Sequence, residues 1–152
     1  MEITQKMALY NSVLTTLRSE ISKIHEETFI YKLVVDTVAK IPYFNWIGIY
    51  FFNPVTKEFY LGYHMGKSTN TTIIQLNQLE TSKIEIINDL NAEQKISIGP
   101  EVASECKMLL MKNKKILGLI VIGSEGINNF DEIDSKYLME ITEIVSERIY
   151  HH

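Results

Sequence analysis

Two short segments of this chain, Trp46 to Phe52 (WIGIYFF) and Ile116 to Gly123 (ILGLIVIG), carry no polar residue on either alternating face. Runs this short, rich in β-branched and aromatic residues and bounded by turn signals, read as central strands covered on both sides. Such strands demand a sheet with a layer of structure over each face. The 152 residues match one compact domain, which buries roughly 70% of the surface its unfolded chain would expose.

The other elements fit around these two strands. Asn53-Pro54 makes a turn, and Glu58 to His64 (EFYLGYH) returns as a hairpin partner. Thr71 to Leu76 and Ile84 to Asn88 are shorter strand candidates. Glu105 to Met111 and Lys115 to Gly123 are separated by Lys112, Asn113 and Lys114, which is hairpin spacing. Asp89 to Glu101, with Gly99-Pro100, has no periodicity and reads as a loop with room for a short helix, of the kind that often forms a lid or binding segment.

Helical periodicity marks both ends. Ile3, Met7, Tyr10, Leu14, Leu17, Ile21 and Ile24 alternate four and three apart, an a/d stripe that reads equally as a helix on its own sheet and as a dimer seam. A second helix is expected from Thr28 to Ala39, ended by Pro42. Asn129-Phe130-Asp131-Glu132 opens a third with a capping side chain and an acidic first turn. Strands joined by hairpins and helices at the chain's ends predict an α+β fold with an antiparallel sheet. The terminal helices should cover one face and a ligand pocket the other.

A net charge of −4 and pI near 5.6 give no general attraction to phosphate backbones or anionic lipid, so neither nucleic acid nor membrane is an expected partner. One cysteine, Cys106, excludes an intrachain disulfide and a multi-cysteine metal site. With charges at Glu2, Lys6, Arg18 and Glu20 and no apolar leader, the expected location is cytoplasmic.

Asn45-Trp46-Ile47-Gly48-Ile49-Tyr50, Leu61-Gly62, Met65-Gly66-Lys67, Ser104-Glu105, Lys115-Ile116-Leu117-Gly118 and Phe130-Asp131-Glu132 together resemble the free methionine-(R)-sulfoxide reductase branch of the GAF domain family. The similarity runs from Asn45 to Gly66 and again from Ser104 to Asp134. It implies a six-stranded antiparallel sheet with helices on one side, a ligand pocket on the other, and dimerisation through the terminal helices.

Sulfoxide reduction by thiols needs one thiolate to attack sulfur and a second thiol to resolve the sulfenic acid. The family's cysteine motifs would fall between Gln75 and Ala103, a region that is shortened here and contains no cysteine. Its Asp-x-Asp pair, which helps hold the substrate amino group, would match Val121 and Gly123, so both acids are absent. Cys106 reads as a small buried hydrophobe. Of the matched polar positions Glu105 survives. A carboxylate in an apolar strand either faces water or lines a cavity, and the resemblance implies the cavity.

Trp46 and Tyr50 share a strand face with Gly48 and read as a pocket wall or as core packing. Met65-Gly66 ends the second strand, where glycine permits a tight turn or close approach to a ligand. No catalytic set, metal motif or cofactor motif is present: His25-Glu26-Glu27 point apart on a helix end, His64 stands alone, and Gly66-Lys67 lacks a phosphate loop. The expectation is a non-catalytic sensor or adaptor that binds a small ligand through Trp46, Tyr50, Met65, Gly66 and Glu105. It would act as a homodimer or through a signalling protein partner. The alternatives are a reductase using Cys106 and a structural dimerisation module.

Overall fold

The computed structural model describes residues 1–80 and 83–149. Helices α1 (Ile3–Ile21) and α2 (Glu27–Val38) lead into the hairpin β1 (Trp46–Asn53) and β2 (Glu58–Met65). The short strands β3 (Ile73–Gln75) and β4 (Ile84–Ile87) follow, then the hairpin β5 (Ser104–Lys112) and β6 (Lys115–Ser124), and last α3 (Glu132–Arg148). The six strands make one antiparallel sheet in the order β3-β2-β1-β6-β5-β4. The two apolar runs, β1 and β6, sit side by side at its centre.

Strand alternation divides the interior into two layers. Ile47, Ile49, Cys106, Met108, Leu110, Ile120 and Ile122 face the helices. Trp46, Tyr50, Phe59, Leu109, Leu119 and Val121 face the other way and form a second apolar cluster. Each such buried side chain contributes about 1.5–3 kcal/mol, so burial on both faces holds β1 and β6 at the centre of the sheet.

The helices cover one face of the sheet, as expected, and they do so in two tiers. Helix α2 packs on β1 and β2, α3 packs on β5, and α1 lies across α2 and α3. Seven residues join the end of α2 at Val38 to the start of β1 at Trp46, too few to carry α2 away from that strand. The stripe on α1 is therefore divided. Tyr10, Leu14, Leu17 and Ile21 belong to the chain's own core, while Ile3 and Met7 are exposed.

Two details of the expected elements differ, and one holds. The strand expected over Thr71 to Leu76 covers only Ile73–Gln75 before a single 3₁₀ turn, Leu76–Gln78, fixed by reciprocal capping between Gln75 and Gln78. The Asp89 to Glu101 loop contains turns and no helix. Helix α3 starts where its signal placed it: Asp131 Oδ1 accepts from the backbone N–H groups of Ile133 and Asp134. Among the described residues no helix is long and apolar enough to cross a membrane.

Candidate functional site

On the face away from the helices, the ladder registers align three rows of residues. Trp46 pairs with Gly123, and Gly123 with Glu105. One row along lie Gly48, Val121 and Lys107; the next holds Tyr50, Leu119 and Leu109. Trp46, Tyr50 and Glu105 thus share one surface, as period-two alternation requires.

That surface is covered by two loops of the same chain. The Glu105 side chain is 0% exposed and its carboxylate accepts backbone N–H bonds from Ile98, at 2.9 and 3.1 Å, and from Gly99, at 2.9 Å. Burial pushes the Glu105 carboxyl above its ordinary value, while the Gly99 and Ile98 N–H groups and the Lys107 ammonium pull it back. The Ile98 side chain completes the apolar cluster around Trp46, Tyr50 and Val121.

Gly99 lies flat against the Trp46 ring, where an added Cβ would stand 3.1 Å from the indole. Trp46 in turn donates its indole N–H to Lys67 O at 2.9 Å, and the Tyr50 hydroxyl donates to Thr71 O at 2.7 Å. The loops are tied together by Thr69, which donates to Ile98 O at 2.9 Å, and by an exposed Lys67–Glu101 ion pair.

Gly123, midway between Trp46 and Glu105, is filled in the same way. An added Cβ there would come within 2.6 Å of the Val102 side chain. Where the resemblance implies an acid, the chain has a glycine and lays a valine over it. Gly66 has φ +104, and a Cβ would press on Asn45 O at 2.8 Å and on the indole at 2.9 Å. Its glycine is thus required by a turn and by packing on Trp46 together. Met65 is exposed beside it.

The structure gathers Trp46, Tyr50, Gly66 and Glu105 at one end of the sheet face, with Met65 at the rim. Sequence reasoning missed Lys107, whose Nζ is 3.1 Å from Glu85 and 3.7 Å from Glu105. The signal was available, because a lysine two residues beyond a carboxylate in a strand shares its face. It also missed the stacking of His64 on Trp46, with ring centroids 5.9 Å apart. Ile98 and Gly99 had no readable signal, since backbone N–H donors are common to every residue except proline.

Cys106, next to Glu105, projects into the helix-side core and is 0% exposed. Burial, reinforced by the fields of Asp134 and Glu105, pushes its thiol pKa up. Among the described residues no group of histidine, cysteine and carboxylate side chains is placed to hold a metal ion.

No protein-family model matches the chain. Over 115 residues it is 30% identical to Protein YtsP of Bacillus subtilis (strain 168), covering 72% of this chain and 71% of that protein. Its fold superimposes on a free methionine-R-sulfoxide reductase from Neisseria meningitidis, solved in complex with its substrate, with a TM-score of 0.85 and 21% identity over 94% of this chain and 89% of that one. It also superimposes on the GAF domain of an Acinetobacter phosphoenolpyruvate-protein phosphotransferase, with a TM-score of 0.75 and 17% identity over 99% and 95%. At these identities the structural matches establish the GAF fold.

Proposed function

Because this chain belongs to the same family as Protein YtsP of Bacillus subtilis and carries the GAF domain fold, we propose that it is a non-catalytic GAF module responding to a small ligand. The observation that carries this reading is the orientation of two adjacent residues. Glu105 lies on the ligand side of β5 and Cys106 on the helix side. A reductase thiolate must reach a substrate sulfur and then be resolved by a second thiol. Cys106 is walled off from that face by its own strand, and the sequence has no second cysteine.

Trp46, Tyr50 and Glu105 form the floor of the proposed site, with Met65 and Gly66 at its mouth. A ligand there takes over the carboxylate bonds now made by Ile98 and Gly99, so binding displaces the 95–101 loop. The loop movement would be read by a homodimer partner or a signalling protein through the terminal helices, where Ile3 and Met7 are exposed. The second reading, a structural module, is favoured by the loops that close over Trp46 and Glu105.

Two measurements separate the readings. Purified protein with free methionine-(R)-sulfoxide and a dithiol reductant should consume no substrate above the blank. Consumption that disappears in Cys106→Ala would overturn the non-catalytic reading. A thermal-shift screen of metabolites should find a ligand that raises the melting temperature in the wild type and has no effect in Glu105→Ala. Absence of any response favours the structural module.

A further inference from the structure

The apolar layer that is sealed at Trp46 and Glu105 is open at its other end. Between the β5–β6 hairpin and the 3₁₀ turn lies a cleft of about 760 Å³, walled by Leu76, Leu79, Leu109, Met111 and Ile116. Leu109 is four residues along β5 from Glu105, about 13 Å at strand rise, and Met111 is further still. The cleft therefore begins at the Tyr50–Leu119–Leu109 row and extends away from Trp46 and Glu105, and it stands open with the 95–101 loop in place. We propose that it is a preformed binding site for an uncharged small molecule with an apolar body.

Its walls are fixed before any ligand arrives. The 3₁₀ turn is held by Gln75 N–H donating to Gln78 Oε1 at 2.7 Å and by Leu76 N–H donating to Lys57 O at 3.0 Å. On the opposite wall the β5–β6 register shifts between Leu110 and Met111, a bulge of the kind that re-aims a side chain. Leu76, Leu79, Met111 and Ile116 pack against the buried cluster yet remain partly exposed. The volume lies within the range of about 300–1,000 Å³ typical of small-molecule sites.

Rim charge selects the ligand class. Lys57 contributes one cation, and Glu58 and Glu80 two carboxylates, with Glu58 already accepting the Tyr60 hydroxyl at 2.7 Å. Opposed signs at one mouth give neither an anion nor a cation a consistent field, whereas the partly exposed apolar floor gains by contact with an apolar body.

The test uses Nile red, an uncharged apolar dye, with the whole protein labelled at its methionine methyl groups. Six methionines are present, among them Met111 at the cleft and Met65 at the Trp46 end. Saturable binding should move the Met111 methyl resonance and leave that of Met65 in place. Met111→Glu should weaken dye binding about tenfold or more, since a carboxylate would have to be desolvated. Met65→Glu should leave it within about twofold.

Absence of binding, an unmoved Met111 resonance at saturating dye, or unchanged affinity in a folded Met111→Glu protein overturns the proposal. Movement of Met65 alone would place the ligand at the Trp46 end, removing this inference while leaving the proposed function intact. The methyl readout needs no substitution, so it holds even where a variant misfolds.

Discussion

The Lys6 ammonium lies 2.6 Å from the Asp134 carboxylate, joining side chains 128 positions apart, and both are buried. Tyr10 and Tyr43 donate their hydroxyls to the other oxygen of Asp134 at 2.6 and 2.5 Å, and the Asp131 N–H donates to the oxygen that Lys6 meets, at 2.8 Å. One carboxylate thus fastens α1, the turn before β1 and the first turn of α3. Removing one member of such a pair strands the other in a dry interior. Asp134→Ala should cost about 3–5 kcal/mol in urea unfolding, and the double variant with Lys6→Met should cost less than the sum of the single changes.

Glu105 makes stability depend on pH in a definite direction. Its folded-state pKa is raised above the ordinary 4.5, chiefly by burial. The folded protein therefore holds this proton more tightly than the unfolded chain. The contribution is fully present below the unfolded value and is lost as pH rises through the folded one. Glu105→Gln abolishes that titration, so the melting-temperature advantage of the wild type over the variant should shrink from pH 4.5 toward neutrality. A gap that stays constant across this range would show that Glu105 does not titrate in this way.

Cys106 should be inert in the native state. Its thiol is buried and its pKa is pushed up, so both access and thiolate are lacking. Iodoacetamide at neutral pH should leave the folded protein unmodified and label the urea-unfolded chain to completion, as read by intact mass. Rapid labelling of folded protein would contradict the placement of Cys106.

Two positions on α1 should respond differently. Leu17 is 0% exposed, and Leu17→Ala should lower stability by about 2–5 kcal/mol whatever the oligomeric state. Met7 is exposed at 37%, so Met7→Glu should leave stability within about 0.5 kcal/mol. If the N-terminal end of α1 forms a dimer interface, the same change should shift the sedimentation coefficient toward that of a monomer.

Most of the fold was legible because burial on a repeating backbone leaves a repeating pattern. WIGIYFF and ILGLIVIG could satisfy no exposed face, which placed β1 and β6 at the centre of the sheet. Asp131 marked the start of α3 because a carboxylate is a good acceptor for the free N–H groups there. The candidate site was legible in part. Period-two spacing put Trp46, Gly48 and Tyr50 on one face, and Glu105 on a face that Lys107 shares.

The sequence by itself determined which residues turn their backs on water, how many thiols the chain has, and which strands lie innermost. It could not say what each buried face meets. The α1 stripe fits another helix of this chain as well as a second copy, because apolar contact has no direction. Only the tertiary structure decided that α2 and α3 take up most of that stripe, and that Cys106 and Glu105 are separated by a strand. It also decided that the Glu105 carboxylate is satisfied by the backbone of Ile98 and Gly99. Those two donors carry no side-chain signature, so chain path alone brings them to the acid.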